Sequence, residues 1–390
     1  MKTIPSKLPN VETTIFAIMS QLALEHKAIN LGQGFPDYQP DSKLIGAVNK
    51  AMLEGHNQYP AMAGVPALRQ AIANKVQTLY GHTYDEGTEV TVTSGASEAL
   101  MISILAFVHP KDEVIVIEPV YDLYIPTITL AGGIPVVVPM QSPTNEVKRY
   151  SIDWERVRAA VNDNTRMLIL NFPHNPTGIN LTEEDLDALE QLVVDTGIII
   201  LSDEVYEHIV FNNETHRSLS SRPALANNAV VISSFGKTYH VTGWKVGYCC
   251  APAYLSKELR KVHQFNVFTV PTPLQVGIAE YMEDPEPYLS LSKFYQRKHD
   301  YLFDGLATTK LQPIRSEGTF FLLADYSNIS SLSETEFAYW LTKEIGVTTI
   351  PIAAFYEDPN SVQANNNLVR LCFAKDDETL DEAVERLRKL

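Results

Sequence analysis

Short, almost continuous apolar runs alternate with amphipathic stretches over most of the chain. Runs of this kind, rich in β-branched residues and bounded by turn residues, predict buried strands. They lie at 113–119, 165–173, 197–204 and 228–235. Between them, residues 181–197 show helical spacing, with Thr182 as the expected N-cap and Gly197 at the end. This alternation predicts an α/β fold with a large, doubly wound and mostly parallel sheet.

The pattern changes after about Tyr281. Further elements are expected at 283–306 (a long helix), 319–326 (a strand), 333–346 (a helix) and 368–375 (a strand). This part of the sequence is typical of a smaller α+β unit. We therefore predict a large domain of residues 45–285 and a small domain formed by residues 1–44 together with 286–390.

Composition narrows the function classes. The chain has 390 residues and a formal net charge of −16, which disfavours binding to nucleic acids or anionic membranes. Its cysteines, Cys249, Cys250 and Cys372, have no spacing typical of a disulfide framework or a zinc site. No apolar run approaches a membrane span, and the N-terminal residues do not resemble a secretory signal. We expect a cytoplasmic protein that binds a small molecule and no metal.

Polar residues cluster where the predicted strands end. In open α/β sheets, ligands bind outside the carboxyl ends of the strands. The segments NFPHNPTG (171–178), SDEVY (202–206) and SSFGK (233–237) lie at the carboxyl ends of three such strands. They bring the following residues to one edge of the sheet: Asn175, Asp203, Tyr206, Ser234 and Lys237.

The run SSFGKTYHVTGWKVGY (233–248) contains Lys237 and Lys245 and no acidic residue. A lysine removed from water near another cation has a lowered pKa and becomes a nucleophile that can form a Schiff base. Taken singly, Lys237 also fits an ordinary surface loop, and Asp203 also fits a capping residue. Only the combination of Lys237 with Asp203 and the other strand-end residues indicates a functional site.

A further motif, SGASEAL (94–100), predicts a helix N-terminus after a strand. Gly95, Ala96 and Ser97 would offer N–H groups and a hydroxyl to a phosphate there. Together with the strand-end residues, this site requires a ligand with a phosphate, a carbonyl for lysine, a ring nitrogen for aspartate and an oxygen for asparagine and tyrosine. Pyridoxal phosphate has all of these groups.

The ordered motifs NQY, PHNPTG, SDEVYEH and SSFGKTYHVTGWKVGY resemble those of the fold-type I, class I/II pyridoxal-phosphate aminotransferases. The resemblance extends from NLGQGFPDY (30–38) to VRLCFAK (369–375). It is greatest for the branch that contains methionine and kynurenine–glutamine aminotransferases. It implies transfer of the amino group of a neutral L-amino acid to a 2-oxo acid. Expected donors are methionine, phenylalanine, tyrosine, histidine, glutamine or kynurenine, in preference to aspartate.

The resemblance assigns cofactor-binding roles to these residues. Lys237 corresponds to the lysine that forms a Schiff base with the cofactor, and Asp203 to the partner of the pyridine nitrogen. Asn175 and Tyr206 would bind the phenolate oxygen, and Tyr121 of EPVYDLY would stack on the ring. The phosphate would be held by Gly95, Ala96, Ser97, Ser234 and Lys245. Lys237, Asp203, Tyr206 and Asn175 are the expected catalytic residues.

The resemblance also implies a substrate pocket and a homodimer. Arg370 matches the arginine that binds the substrate carboxylate, with Gly34 and Asn175 at the same end. Apolar pocket residues are expected at Phe16, Phe268 and Phe355. Phe268 would come from the partner subunit, and Tyr59 of NQY would reach the phosphate of the partner's site.

One position departs from many relatives, which have arginine where this chain has Lys245. A lysine binds phosphate as a compact charge and lacks the guanidinium fork. We expect this chain still to bind the phosphate, but with its orientation less strictly fixed than by an arginine.

Two alternatives stay open. A cysteine-conjugate β-lyase would use the same residues to expel a leaving group from Cβ. A non-enzymatic ligand sensor could reuse the fold, although the set Lys237, Asp203 and Arg370 and the lack of a DNA-binding segment argue against it.

Overall fold

The computed structural model describes residues 4–144 and 149–390. Within them, the strands form three sheets. The strands are β1 (Ile29–Asn30), β2 (Val90–Thr93), β3 (Glu113–Glu118), β4 (Ile134–Pro139), β5 (Thr165–Asn171), β6 (Ile199–Asp203), β7 (Ala229–Ser234), β8 (Gly247–Cys250), β9 (Gln312–Ile314), β10 (Phe321–Asp325), β11 (Val347–Thr348), β12 (Ile350–Pro351) and β13 (Leu368–Cys372).

Helices cover both faces of the largest sheet and flank the smaller ones. They are α1 (Ile15–His26), α2 (Ser42–Leu53), α3 (Pro66–Tyr80), α4 (Gly95–Phe107), α5 (Tyr124–Ala131), α6 (Trp154–Ala160), α7 (Glu183–Thr196), α8 (Pro223–Ala226), α9 (Phe235–Thr238), α10 (Ala253–Asn266), α11 (Thr272–Tyr281), α12 (Glu286–Leu289), α13 (Leu291–Leu306), α14 (Glu334–Trp340) and α15 (Asp377–Leu387). In the described part of the chain, none of them has the length and apolarity that a membrane span requires.

The largest sheet has seven strands in the order β2-β8-β7-β6-β5-β3-β4. All its pairings from β7 to β4 are parallel, whereas β8 runs antiparallel to both β2 and β7. The strands predicted at 113–119, 165–173, 197–204 and 228–235 are β3, β5, β6 and β7 and are confirmed. Their apolar residues are buried because helices cover the sheet on both sides.

The register of this sheet positions the site. Asn171 at the end of β5 lies opposite Asp203 at the end of β6, and Asp203 lies opposite Ile232 of β7. Because these strands are parallel, their carboxyl ends meet at one edge, and the loops that follow them lie side by side.

Helix α7 shows how local sequence defines an element. The Thr182 side chain accepts a hydrogen bond from the Asp185 N–H, and the Asp185 carboxylate accepts one from the Thr182 N–H, which completes a capping box. Gly197 ends the helix with φ +66°, a left-handed conformation that glycine adopts without strain. The predicted helix and both of its end residues are confirmed.

The C-terminal part contains a four-stranded antiparallel sheet in the order β12-β13-β10-β9. Strands β10 and β13 confirm the predictions at 319–326 and 368–375. The helix predicted at 333–346 begins after Ser333, but it continues beyond α14 as a π-helical turn, Leu341–Ile345.

The single long helix predicted at 283–306 is wrong. The structure divides it at Ser290 into α12 and α13. The Glu286 carbonyl accepts both the Ser290 N–H at 2.9 Å and the Ser290 hydroxyl at 2.7 Å, and such back-bonding often bends a helix.

The N-terminal segment lies against the C-terminal unit. Strand β1 pairs in parallel with β11, and α1 packs against β11. The proposed domain boundaries after residues 44 and 285 stay a prediction.

Candidate active site

A cavity of about 400 Å³ opens where β5, β6 and β7 end. Most of the residues predicted for the site contribute to its wall. They are Phe16, Gly34, Gly95, Ala96, Ser97, Tyr121, Asn175, Asp203, Tyr206, Ser234, Lys237, Lys245 and Arg370. Residues from widely separated parts of the sequence therefore meet in one space.

Lys237 enters this cavity from the short helix α9, directly after β7. Its Nζ donates a hydrogen bond to the Gly34 carbonyl at 3.0 Å and lies 5.0 Å from the centroid of the Phe320 ring. The pKa of Lys237 is lowered to about 8, chiefly by burial; the nearby cations Arg370 and Lys245 contribute to the lowering, and the attraction of Asp203 opposes it. About a tenth of this amine is neutral at pH 7, far more than for an ordinary lysine, so it can act as a nucleophile or a base.

Asp203 faces Lys237 from the end of β6. It is 4% exposed, and its Oδ2 accepts a hydrogen bond from the Tyr124 hydroxyl at 2.7 Å. Burial raises the pKa of Asp203 to about 6, although the bonds from Tyr124 and the Val205 N–H oppose that shift. A buried carboxylate of this kind gains most from a positively charged partner in the cavity.

Arg370 lies at another wall of the cavity, on β13. Its guanidinium donates to Asn175 Oδ1 at 2.6 Å and to the Gly32 carbonyl at 2.8 Å, while its buried Nε has no hydrogen-bond partner among the described residues. The guanidinium lies 3.8 Å from the centroid of the Phe321 ring. Burial lowers the pKa of Arg370 to about 10, so the group remains a cation at neutral pH.

Asn175 and Tyr206 complete the side of the cavity that follows β5 and β6. Asn175 is held by a hydrogen bond from its N–H to Asn171 Oδ1 at 3.0 Å. Tyr206 is 4% exposed and packs edge-on against Phe320. Burial raises the pKa of Tyr206 well above its usual value, which keeps the hydroxyl protonated.

The N-terminus of α4 forms an anion-binding corner. Gly95 has φ +70°, and a Cβ there would lie 3.3 Å from Lys245 Nζ, so glycine permits the lysine to approach the backbone closely. Lys245 Nζ also lies 3.2 Å from the Ser97 hydroxyl. Unpaired helix N–H groups and a lysine ammonium together suit a phosphate.

Three predicted residues do not line the cavity of this chain. Tyr59 is 82% exposed and packs edge-on against Phe268, which is 39% exposed. Phe355 is buried behind the cavity, where its ring lies 5.1 Å from the Arg370 guanidinium and 5.8 Å from Phe16. Phe355 supports Arg370 and Phe16 from behind, and its predicted contact with the substrate stays a prediction.

Several functional neighbours were not predicted. Tyr124 binds Asp203, Asn171 holds Asn175, and Phe321 stacks on Arg370. Asp122 also lines the cavity. Asn171 could have been found from its position at the end of β5, beside the strand that ends in Asp203. The other contacts depend on how α5 and β10 dock, and no local motif predicts them.

A mostly parallel seven-stranded sheet, with a lysine, an aspartate and an arginine converging beyond its strand ends, defines a class of transferase folds. The sequence profile of the family "Aminotransferase class I and II" matches residues 26–387, and the chain belongs to this family. The expected fold and the expected aminotransferase activity are thereby confirmed.

Among the relatives, methionine aminotransferase of Escherichia coli is 47% identical over 386 residues, covering 99% of this chain and 98% of the relative. Its crystal structure superposes with a TM-score of 0.95 over 100% of both chains. The N-succinyldiaminopimelate aminotransferase of Mycobacterium tuberculosis has a TM-score of 0.94 at 38% identity, over 99% of this chain and 100% of that one. A kynurenine–oxoglutarate transaminase of Dictyostelium discoideum is 36% identical, over 97% and 94% of the two chains.

Proposed function

We propose that this aminotransferase uses pyridoxal phosphate to move the amino group of a neutral L-amino acid to a 2-oxo acid. Methionine, aromatic amino acids, histidine, glutamine and kynurenine are the candidate donors. The observation that carries the proposal is the convergence of the Lys237 amine, the Asp203 carboxylate and the Arg370 guanidinium on one cavity. Relatives named for methionine and kynurenine support the substrate class.

The residues of the cavity fit the proposed cofactor. Lys245 and the N-terminus of α4 supply the donors that a phosphate needs, and Asp203 is a buried anion that needs a cation such as a protonated pyridine. Asn175 and Tyr206 would hold the phenolate oxygen, and Tyr121 would stack on the ring. When bound, the cofactor supplies an aldehyde for attachment of the amino group and a ring that accepts electrons from Cα.

Lys237 performs the proton transfer in this proposal. Because burial lowers its pKa to about 8, its Nζ can remove the proton from the Cα of the donor and hold it for redelivery. The Gly34 carbonyl, which accepts a hydrogen bond from Nζ at 3.0 Å, orients the amine.

Arg370 orients the donor by binding its carboxylate. The unpartnered Nε offers a donor that the Asn175 and Gly32 contacts do not use. Aromatic rings around the guanidinium exclude water, which strengthens its attraction for an anion.

The cavity favours a donor with a neutral side chain. The described residues that line it include no second arginine, and Asp122 adds a negative charge to the wall. A side-chain carboxylate would therefore lie desolvated and unpaired, which costs several kcal/mol. Phe16 and Phe321 supply apolar surface for methionine or an aromatic ring.

We also propose a cytoplasmic homodimer with shared sites. The exposed apolar residues Tyr59, Phe265 and Phe268 lie close to the ends of α2 and α10, and Leu53 at the end of α2 is 89% exposed. A partner subunit would cover this surface and receive Tyr59 and Phe268 at its own site. The three cysteines are free and buried, consistent with a reducing compartment.

A donor panel tests the proposed substrate class. Methionine, phenylalanine, tyrosine, histidine, glutamine, kynurenine, aspartate and N-succinyldiaminopimelate are each paired with several 2-oxo acids. We expect the highest kcat/KM for a neutral donor. A preference for aspartate or N-succinyldiaminopimelate would contradict the substrate class, and pyruvate release from a β-substituted cysteine without an acceptor would reveal lyase activity.

The cofactor assignment has its own test. Borohydride reduction of protein loaded with pyridoxal phosphate, followed by peptide mapping, should place the pyridoxyl group on Lys237. Its appearance on Lys245, or its absence, would contradict the assignment. Lys237→Ala should abolish both the label and transamination.

A further inference from the structure

His263 on α10 joins two segments that are far apart in sequence. Its side chain is completely buried. Nδ1 lies 2.7 Å from Glu98 Oε1 on α4, and Nε2 lies 3.0 Å from the Met62 carbonyl in the loop between α2 and α3. The ring therefore links the first turn of α4 to that loop.

The contacts determine where the protons lie. A carbonyl oxygen only accepts, so Nε2 of His263 must carry a hydrogen for the bond to Met62. Nδ1 faces a carboxylate, and one more proton must lie between Nδ1 and Glu98 for a hydrogen bond there. The pair thus holds both segments with two directed, buried hydrogen bonds that a non-polar side chain could not replace.

On one side, this link reaches the anion-binding corner. Glu98 also accepts a hydrogen bond from the Ser94 N–H at 2.5 Å. Ser94 immediately precedes Gly95, Ala96 and Ser97, which line the cavity. The Glu98 carboxylate therefore fixes the backbone that would bind the phosphate of this chain's own site.

On the other side, the link reaches the surface proposed to serve the partner. Met62 lies in the same loop as Tyr59, and the Phe268 N–H donates to the His263 carbonyl at 2.9 Å. The rings of Tyr59 and Phe268 contact each other, with centroids 5.5 Å apart. His263 thus supports both aromatic residues, one through a side-chain bond and one through its backbone.

We propose that His263 is a positioning residue that couples the phosphate-binding segment 94–97 of one subunit to the Tyr59 and Phe268 that this subunit contributes to its partner. The inference rests on the proposed cofactor and homodimer. Loss of the His263 side chain loosens the first turn of α4 and the loop of Tyr59 together. Cofactor release is then faster at the chain's own site and at the partner's site.

The first experiment measures cofactor affinity and backbone protection. His263→Phe removes both bonds at similar size, and His263→Gln, which retains a single side-chain amide, is measured in parallel. We expect pyridoxal phosphate to bind about tenfold more weakly, because buried hydrogen bonds to charged groups are lost. Amide hydrogen exchange should rise in both 54–65 and 94–98.

Two matched variants serve as controls. Glu98→Gln preserves every contact, because its amide donates to a neutral His263 ring and its oxygen still accepts from Ser94. It removes the charge from these bonds but not the bonds themselves, so it should weaken cofactor binding less than His263→Phe does. Gln264→Ala changes the exposed neighbour of His263 on the same helix and should have no effect. Unchanged affinity and exchange in both His263 variants would overturn the proposal.

The second experiment isolates the effect on the partner's site. A chain carrying both Lys237→Ala and His263→Phe is paired with a tagged wild-type chain, so that only the wild-type chain can be labelled at Lys237 by borohydride. This site has its own intact His263. Cofactor release from it should be about tenfold faster than in a heterodimer with Lys237→Ala alone.

The outcomes separate the inference from its premises. Equal release rates in the two heterodimers would overturn the coupling and leave the proposed function intact. Failure of the wild type to bind pyridoxal phosphate, or sedimentation as a monomer, would overturn the proposed function and this inference with it.

Discussion

At the scale of single residues, burial without a direct ion pair gives Lys237 and Asp203 their shifted pKa values. The amine is held by a carbonyl and aromatic rings, and the carboxyl by the Tyr124 hydroxyl. Desolvation moves both pKa values toward neutrality, to about 8 and about 6. A ligand of opposite charge would therefore stabilise the charged form of each group.

The lowered pKa of Lys237 predicts its reactivity in the cofactor-free protein. Only the neutral amine attacks an aldehyde, so the labelling rate should rise with pH and reach half its maximum near pH 8. Reductive labelling with acetaldehyde and cyanoborohydride, quantified by peptide mapping at Lys237, measures this. Lys245→Gln removes a neighbouring cation and should move the midpoint to higher pH. The same midpoint as exposed Lys257 would contradict the desolvated environment.

Asp203→Asn should leave the cofactor bound but slow proton removal by orders of magnitude. An amide cannot stabilise a positive ring nitrogen, so the ring accepts electrons less readily. Single-turnover measurement of donor Cα deuterium exchange, together with spectroscopic occupancy, separates the two effects. Near-normal exchange at full occupancy would mean that Asp203 has a structural role.

At the scale of elements, the end of β6 and the turn after it join the cavity to a buried ion pair. Asp203 and Tyr206 line the cavity, whereas Glu207 does not and is buried against Lys75 of α3 at 2.6 Å. The Tyr80 hydroxyl donates to the other Glu207 oxygen at 2.6 Å. Burial opposes ionisation of Glu207. The positive charge of Lys75 and the hydrogen bonds that Glu207 accepts nevertheless hold the pKa of Glu207 well below its usual value. This network fixes the backbone that carries Asp203 and Tyr206.

Lys75→Met should therefore destabilise the fold severely. It leaves a buried carboxylate without its cation, which costs about 3–5 kcal/mol. Urea unfolding of the variant, compared with Lys257→Met at an exposed position of α10, measures the difference in the free energy of unfolding. The double variant Lys75→Met/Glu207→Leu should recover much of the loss. A Lys75→Met variant as stable as the control would contradict this role.

At the scale of the whole molecule, the sites of a homodimer are proposed to be shared. Tyr59 and Phe268 lie outside the cavity of their own chain, on an exposed apolar surface. Mixing two inactive variants tests this arrangement. In a purified heterodimer of Lys237→Ala with Tyr59→Ala, one site carries both lesions and the other carries neither, so activity should return to about half of wild type.

A heterodimer of Lys237→Ala with Arg370→Ala is the matched control. Lys237 and Arg370 line the same cavity of one chain, so each site keeps a lesion and activity should not return. Equal recovery in both mixtures, or full activity in a monomer, would contradict shared sites.

The sequence by itself determined much of the large sheet and most of the cavity wall. β-branched runs bounded by turn residues encode β3, β5, β6 and β7 locally, and the parallel register then brings their ends together. Asp203 ends one such strand and Lys237 lies three residues after the next, so their proximity could be predicted from topology alone.

Tertiary structure decided what depends on docking between distant segments. Tyr124 reaches Asp203 only because α5 packs against α4 and β3, and Phe321 stacks on Arg370 only because β10 pairs with β13. The same holds for His263, whose two partners are 165 and 201 residues away in sequence. Local propensity carries no information about such contacts, because their energy arises from packing and desolvation that exist only in the folded chain.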